Sequence, residues 1–80
     1  MKHYRLSVSG NVVTKIVGFD SSDPPLYASA YARDLLRSGD YIFLEKATLE
    51  EHNPDRSYTL VAEFAWVNRD WHAVSLPTST

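Results

Sequence analysis

The segment Asp23–Gly39, DPPLYASAYARDLLRSG, is the feature that most constrains the fold, because it is the one stretch with the apolar pattern of a long helix. Its apolar residues form one broad stripe at helical spacing. The stripe comprises Tyr27, Ala28, Tyr31, Ala32, Leu35 and Leu36. A helix of this length is marginal in water by itself, so the stripe needs a partner surface. Since the sequence predicts no second long helix, we expect that surface to be a sheet.

Both ends of the predicted helix carry residues that favour a boundary. Ser21, Ser22 or Asp23 offers a side-chain oxygen to an otherwise unpaired backbone N–H at the start. Pro24 suits the first helical position, where the missing N–H of proline costs nothing. Gly39 is expected to end the helix in the left-handed conformation, which glycine enters without a steric penalty.

A hairpin is predicted before the helix. Tyr4–Ser9 alternates between apolar and polar residues, and Val12–Phe19 is rich in the β-branched residues that strands prefer. A Gly-Asn pair between them is typical of a tight turn. The register stays open: a two-residue turn places Leu6 opposite Lys15, and a three-residue turn places it opposite Ile16.

Three further strands are predicted after the helix, over residues 41–46, 57–67 and 71–76. The strict alternation of the second of these places an aromatic-rich row on the core face. That row comprises Tyr58, Leu60, Ala62, Phe64 and Trp66. Thr48–Arg56 is predicted to be the main irregular connection of the chain.

The predicted fold is therefore α+β: a single, mainly antiparallel sheet of four or five strands with one helix packed on one face, in the order ββαβ(ββ). Eighty residues correspond to one domain, so we expect a single domain over residues 1–80, with 77–80 as a frayed tail. The absence of cysteine excludes a disulfide framework and thiolate chemistry. We expect no signal peptide and no membrane-spanning segment, and hence a cytoplasmic protein.

The sequence predicts no catalytic, cofactor-binding or metal-binding residue. His3, His52 and His72 lie at the N-terminus, in a loop and in the last strand, without the spacing of a zinc site. Asp70, His72 and Ser75 are close in sequence, but a strand directs neighbouring side chains to opposite faces. These three residues therefore form no triad by proximity alone, and we do not expect an enzyme.

A partner-binding surface is predicted around the last turn. Tryptophan and arginine are enriched in binding hot spots, which makes Arg69, Asp70 and Trp71 candidate partner-binding residues. Arg33 and Arg37, which lie one turn apart on the predicted helix, complete this set. The sequence leaves open whether Trp71 or the other tryptophan of the chain is the exposed one.

The first half of the chain follows the order strand, turn, strand, Ser-Asp-Pro cap, alanine-bearing helix, turn and strand. The residues behind this order are Tyr4, Leu6, Val8, Gly10, Ser22-Asp23-Pro24, Ala28, Ala30, Ala32 and Gly39-Asp40-Tyr41. In these residues the chain resembles the small α+β proteins that phages encode against host defence, including some anti-CRISPR inhibitors. The resemblance implies a compact, mildly acidic protein that covers a functional surface on a larger protein, often one that binds nucleic acid. Such inhibitors share no active-site motif, so the resemblance assigns no functional residue.

The sequence is compatible with three functions. The preferred one is a non-catalytic protein-binding module, such as a phage-encoded inhibitor that occludes a surface on a nucleic-acid-binding host complex. The second is a small nucleic-acid-binding domain that uses a sheet face and Arg33, Arg37, Arg56 and Arg69; it is less favoured because the net charge is −2. The third is a homo-oligomeric structural subunit, for example a homodimer that pairs through a sheet edge.

Overall fold

The computed structural model describes residues 1–39, 41 and 44–77. Within these residues the chain forms five strands and one helix: β1 (Lys2–Gly10), β2 (Thr14–Ser21), α1 (Pro25–Ser38), β3 (Leu44–His52), β4 (Tyr58–Val67) and β5 (Asp70–Ser75). The strands form one antiparallel sheet in the order β2-β1-β3-β4-β5, and the helix packs on one face. The predicted α+β fold is thus confirmed. The predicted turn residue Asp40, the strand residues Ile42 and Phe43 and the tail residues 78–80 lie outside the described residues.

The core lies between the helix and the central strands of the sheet. Leu6 of β1 lies directly opposite Leu49 of β3, and neither side chain is accessible to solvent. The other core residues are Tyr4, Val8, Ala28, Ala32, Leu36, Leu44, Ala47, Ala62, Phe64 and Trp71. Because Ala28 and Ala32 are small, the helix backbone approaches the sheet closely, and the larger side chains come from the strands.

The helix buries a narrower face than the sequence predicted. Ala28, Ser29, Ala32 and Leu36 are buried. Tyr27 and Tyr31, which were predicted to lie in the apolar stripe, are 61% and 51% exposed. Tyr31 instead packs edge-to-face on Phe19 of β2, with ring centroids 4.9 Å apart, at the flank of the helix. The buried Ser29 hydroxyl donates to the Pro25 carbonyl oxygen at 2.7 Å, so its burial leaves no unpaired donor.

The N-terminal end of the helix does not use the predicted side-chain caps. Pro24 is the N-cap residue, and no side chain accepts a capping hydrogen bond. Its carbonyl oxygen accepts from the N–H groups of Tyr27 and Ala28, both at 3.0 Å. The Ser21 hydroxyl instead accepts from the N–H of Asp23 at 3.1 Å, within the segment that leads into the helix.

The C-terminal end of the helix also differs from the prediction. Gly39 has φ −87°, which is not left-handed, and its N–H donates to the Leu35 carbonyl oxygen at 2.9 Å. Glycine fits this position because the ring of Tyr41 lies close to its Cα, and a Cβ here would overlap that ring.

The β1–β2 hairpin has a longer loop than either predicted turn. Leu6 lies opposite Val17, so neither of the two predicted registers is correct. Gly10 donates its N–H to the carbonyl oxygen of Val13 at 2.9 Å across the loop. Val12 and Val13, which were predicted to start the second strand, therefore lie in the loop that connects β1 and β2.

Strand β3 continues to His52, so the first half of the predicted irregular connection is strand. This segment pairs with β1 on one side and β4 on the other. Glu50 lies opposite Arg5, and the two side chains form an ion pair with a distance of 2.9 Å from Nη2 to Oε1. Pairing on both sides gives the backbone N–H and C=O groups of this segment their hydrogen-bond partners. The alternation of residue types in the sequence did not reveal this pairing.

A bulge interrupts the strict alternation of β4. Ala62 pairs with Leu49 and Leu60 pairs with Glu50, so Val61 is the extra residue. The bulge moves Leu60 to the same face as Glu50, away from the helix, where its side chain is 54% exposed. Of the predicted aromatic-rich row, only Ala62 and Phe64 therefore belong to the core.

Adjacent leucines of the helix provide a test of this packing. Leu36 is 1% exposed whereas Leu35 is only partly buried, so we expect Leu36→Ala to destabilise the fold by about 2–5 kcal/mol and Leu35→Ala by less. Urea unfolding followed by circular dichroism measures both. Equal losses, or a larger loss for Leu35→Ala, would show that the helix presents a different face to the sheet.

Candidate protein-binding groove

A groove of about 970 Å³ lies at one end of the sheet, beside the C-terminal end of α1. The loop between β1 and β2 borders it, together with the segment that leads into β3 and the turn between β4 and β5. Its lining residues are Asn11–Val13, Leu36, Arg37, Gly39, Tyr41, Leu44, Glu45, Trp66 and Arg69–Trp71. Four of the five predicted partner-binding residues thus line one groove.

The two tryptophans have different positions in the groove. Trp66 and Trp71 lie directly opposite each other on β4 and β5, and their rings pack edge-to-face with centroids 5.6 Å apart. Trp71 is 1% exposed and belongs to the core, whereas Trp66 is 46% exposed. The prediction that Trp71 offers its side chain to a partner is therefore corrected: its ring is covered by the core, and Trp66 is the accessible aromatic of the pair.

Arg37 and Asp70 connect the helix to the start of β5. Arg37 donates from Nε to Oδ1 of Asp70 at 3.0 Å and from Nη2 to Oδ2 at 2.8 Å, a bidentate pair. The N–H of Trp71 also donates to Oδ1 of Asp70 at 2.8 Å. The hydrogen bonds from Arg37, followed by the one from Trp71, lower the pKa of the Asp70 carboxyl group.

Arg33 makes a second connection between the same two elements. Its Nε donates to the carbonyl oxygen of Trp71 at 3.0 Å, and its side chain does not line the groove. Arg33, Arg37 and Asp70 were all predicted to contact a partner. In the structure, the two arginines of the helix make hydrogen bonds to β5, Arg33 to a backbone carbonyl oxygen and Arg37 to Asp70. These bonds hold β5 and its turn against the helix.

Arg69 differs from these residues because its side chain is exposed and makes no ion pair or hydrogen bond within the described residues. It follows Asn68 in the two-residue turn between Val67 and Asp70, and both turn residues have positive φ, at 53° and 63°. Such a turn favours Asn followed by Gly, because only glycine adopts this backbone without a steric cost. Asn68 fits the preference, and Arg69 departs from it.

The apolar rim of the groove was not predicted as part of the site. Val12 is 94% exposed and Val13 is 48% exposed, and both lie in the β1–β2 loop across the groove from Trp66. Sequence reasoning missed them because β-branched residues were counted toward the strand. The available sequence signal was the position of both valines directly after a Gly-Asn pair, because a loop longer than the predicted turns would leave both side chains exposed.

The face of the sheet that the helix does not cover carries an arginine that is already engaged within the fold. Its central arginine, Arg5, forms an ion pair with Glu50 and lies 3.6 Å above the centroid of the Tyr58 ring. Arg33 and Arg37 also have intramolecular partners. Three of the chain's arginines are therefore engaged within the fold, which does not favour the nucleic-acid hypothesis.

Among the described residues, no three histidine, cysteine or acidic side chains converge as metal ligands, and no helix is long and apolar enough to span a membrane. No protein-family model, curated protein or solved structure matches the chain. The geometry of the groove is therefore the basis for the functional argument.

The Arg37–Asp70 pair predicts a dependence of stability on pH. Because the pKa of Asp70 is lower in the folded state, its contribution is present above the unfolded-state pKa of about 3.9 and is lost as pH falls through the folded-state pKa. Asp70→Asn should therefore reduce stability at pH 7 and make the loss of stability between pH 7 and pH 3 smaller.

Urea unfolding at both pH values measures this effect. Asp34→Asn is the matched control, since Asp34 is an exposed helix residue whose carboxylate makes no ion pair in the part of the chain that the structure describes. A pH dependence that is equal in the wild type and Asp70→Asn would show that the Arg37–Asp70 pair does not stabilise the fold.

Proposed function

We propose that the protein is a non-catalytic protein-binding module that uses the groove between α1, the β1–β2 loop and the β4–β5 turn. In this proposal it acts as an inhibitor of the type that phages encode against host defence, and it occludes a surface on a larger protein. Arg69 is the observation that carries the proposal. Arg69 is an exposed arginine at positive φ on the rim of an apolar groove, and it has no ion pair or hydrogen bond within the described residues, so a binding role explains it better than a structural one.

Backbone strain at an exposed position favours a functional reason for the residue. A non-glycine residue in the left-handed region costs about 1–2 kcal/mol in steric strain. Part of this cost is offset because a non-glycine residue loses less conformational entropy on folding than glycine does. Residues held in such conformations cluster at binding and catalytic sites. The side chain of Arg69 extends from the turn beside Trp66, and arginine and tryptophan are the residue types most enriched in binding hot spots.

The groove defines the chemistry of the partner. Trp66, Val12 and Val13 present apolar surface that favours an apolar side chain of the partner between them. Arg69 favours an acidic side chain at the rim, because its guanidinium group has no carboxylate partner within the described residues. We therefore propose a segment of a protein that combines an apolar anchor with a neighbouring carboxylate, within a nucleic-acid-binding host complex in the cytoplasm.

A second candidate is a homodimer through the edge of β2. This strand of eight residues is at one edge of the sheet, and Ile16 on it is 64% exposed. An edge strand offers unpaired backbone groups to a second copy of the chain. Light scattering over a range of concentrations tests this candidate, and a monomeric mass at the highest concentration would exclude it as the main role.

The proposed function is tested by capture of a partner from a lysate of the source organism, with and without nuclease. Wild-type protein is compared with Arg69→Gly and Val12→Ser, which alter opposite sides of the groove. Arg56→Gly is the matched control, because Arg56 is also an exposed arginine at positive φ, 73°, but lies in the loop between β3 and β4. We expect a nuclease-resistant partner that both groove variants lose and the control retains.

Either of two results would contradict the proposal. Equal capture by the wild type and both groove variants would place binding elsewhere on the chain. Loss of the captured protein on nuclease treatment would favour the nucleic-acid hypothesis.

Arg69→Gly also makes a prediction about stability that needs no partner. Because glycine relieves the left-handed strain, the variant should be as stable as the wild type or more stable, by up to about 1 kcal/mol. Chemical denaturation measures this change, with Arg56→Gly expected to behave alike. A variant that binds more weakly while folding at least as well separates a binding role from a structural one; a clear loss of stability would show that Arg69 supports the fold.

A further inference from the structure

We propose that His3 and His52 form a two-histidine site for a divalent transition-metal ion such as Zn²⁺ or Ni²⁺. The site lies outside the groove and is independent of the proposed function. The sequence placed His52 in a loop, far from His3. The structure brings the two residues together at one end of the β1–β3 ladder.

The register of the sheet places the two histidines next to each other on one face. His3 and His52 are directly opposite each other on adjacent antiparallel strands, on the face that the helix does not cover. The Cβ atoms of such a pair lie about 4.5–5.5 Å apart. Two nitrogens bound to one zinc ion at about 2.0–2.1 Å fit within the reach of two such rings. Both histidines also line the same surface cavity, of about 550 Å³.

Asp20 orients the first of the two rings. It lies opposite His3 on the other neighbouring strand, β2, and its Oδ1 contacts Nδ1 of His3. A carboxylate that accepts from Nδ1–H fixes the tautomer in which Nε2 keeps its lone pair for a metal ion. Metal-binding histidines usually have such a partner, which also raises the basicity of the ligand. The side chains of His3 and Asp20 are 64% and 52% exposed, so an ion from solvent reaches them.

The second ring is held by a neighbour on its other side. Tyr58 of β4 lies opposite His52, and the two ring centroids are 5.1 Å apart. Asp20, His3, His52 and Tyr58 thus form a row across four adjacent strands. The outer members of the row position the two histidines between them.

The charges around the pair favour a cation. Lys2 and Glu51 form an ion pair at 2.9 Å, as do Arg5 and Glu50, so these two pairs add no net charge. Asp20 supplies a further carboxylate in contact with His3. Imidazole is a preferred ligand of zinc, nickel and copper, and two histidines leave the other coordination positions to water.

Metal binding at this place would stabilise the fold. The two ligands are close only when β1 and β3 are paired, so the ion binds the folded state in preference to the unfolded chain. Zn²⁺ should therefore raise the melting temperature at pH 7.5, and excess EDTA should reverse the effect.

The experiment uses protein without a polyhistidine tag. Calorimetric titration with Zn²⁺ and with Ni²⁺ is combined with thermal melts of the wild type, His3→Ala, His52→Ala and His72→Ala. His72 is the matched control, because it is an exposed histidine on β5, where it lies opposite Ala65. We expect one equivalent of metal to bind the wild type and His72→Ala, no comparable binding by the other two variants, and about tenfold weaker binding by Asp20→Asn.

A second measurement on the wild-type protein does not depend on how the variants fold. Addition of Ni²⁺ during NMR titration should broaden the signals of His3, His52 and their cross-strand neighbours first. The proposal is overturned if the wild type binds neither metal, if His3→Ala or His52→Ala binds as tightly as the wild type, or if broadening starts at His72.

Discussion

The shape of this molecule depends on how α1 is joined to β5. Arg33 and Arg37 lie on one flank of the helix, and they reach the carbonyl oxygen of Trp71 and the carboxylate of Asp70. These hydrogen bonds hold the last strand of the sheet under the helix and so cover the ring of Trp71. Without them the short strand β5 would be held only by its pairing with β4 and by the packing of Trp71 in the core, and the turn that carries Arg69 would be less firmly positioned.

The buried face of the helix carries mostly small side chains. Ala28, Ser29 and Ala32 let the helix lie close to the sheet, and Leu36 supplies the one large aliphatic side chain of that buried row. A close approach brings the flanking arginines within hydrogen-bonding distance of β5. It also leaves Tyr27 and Tyr31 at the edge of the helix–sheet interface, because their rings are too large to fit between the helix and the sheet. The buried face and the exposed flanks are therefore consequences of the same packing distance.

The sequence predicted the class and the order of elements because these follow from local patterns. The helical spacing of residues 23–39 and the alternation in the strands are both properties of short segments. The register of β1 and β2, the length of β3 and the bulge at Val61 depend on which strands pair, and pairing is not visible in any one segment. Likewise, the turn residues Arg69 and Asp70 were identified from their type, but only the fold shows that Asp70 has an ion-pair partner and that Arg69 has none in the part of the chain that the structure describes.

The two edges of the sheet differ in length and in regularity. At one edge, β5 has six residues, a bulge interrupts its pairing with β4, and Arg33 engages the carbonyl oxygen of Trp71. At the other edge, β2 is longer and carries no such obstruction in its ladder with β1. Stacking strands into a fibril needs two receptive edges on every copy. The shorter and less regular β5 is the poorer template of the two edges, so we expect strand addition at β5 to be less favourable than at β2, which works against amyloid-like extension in both directions.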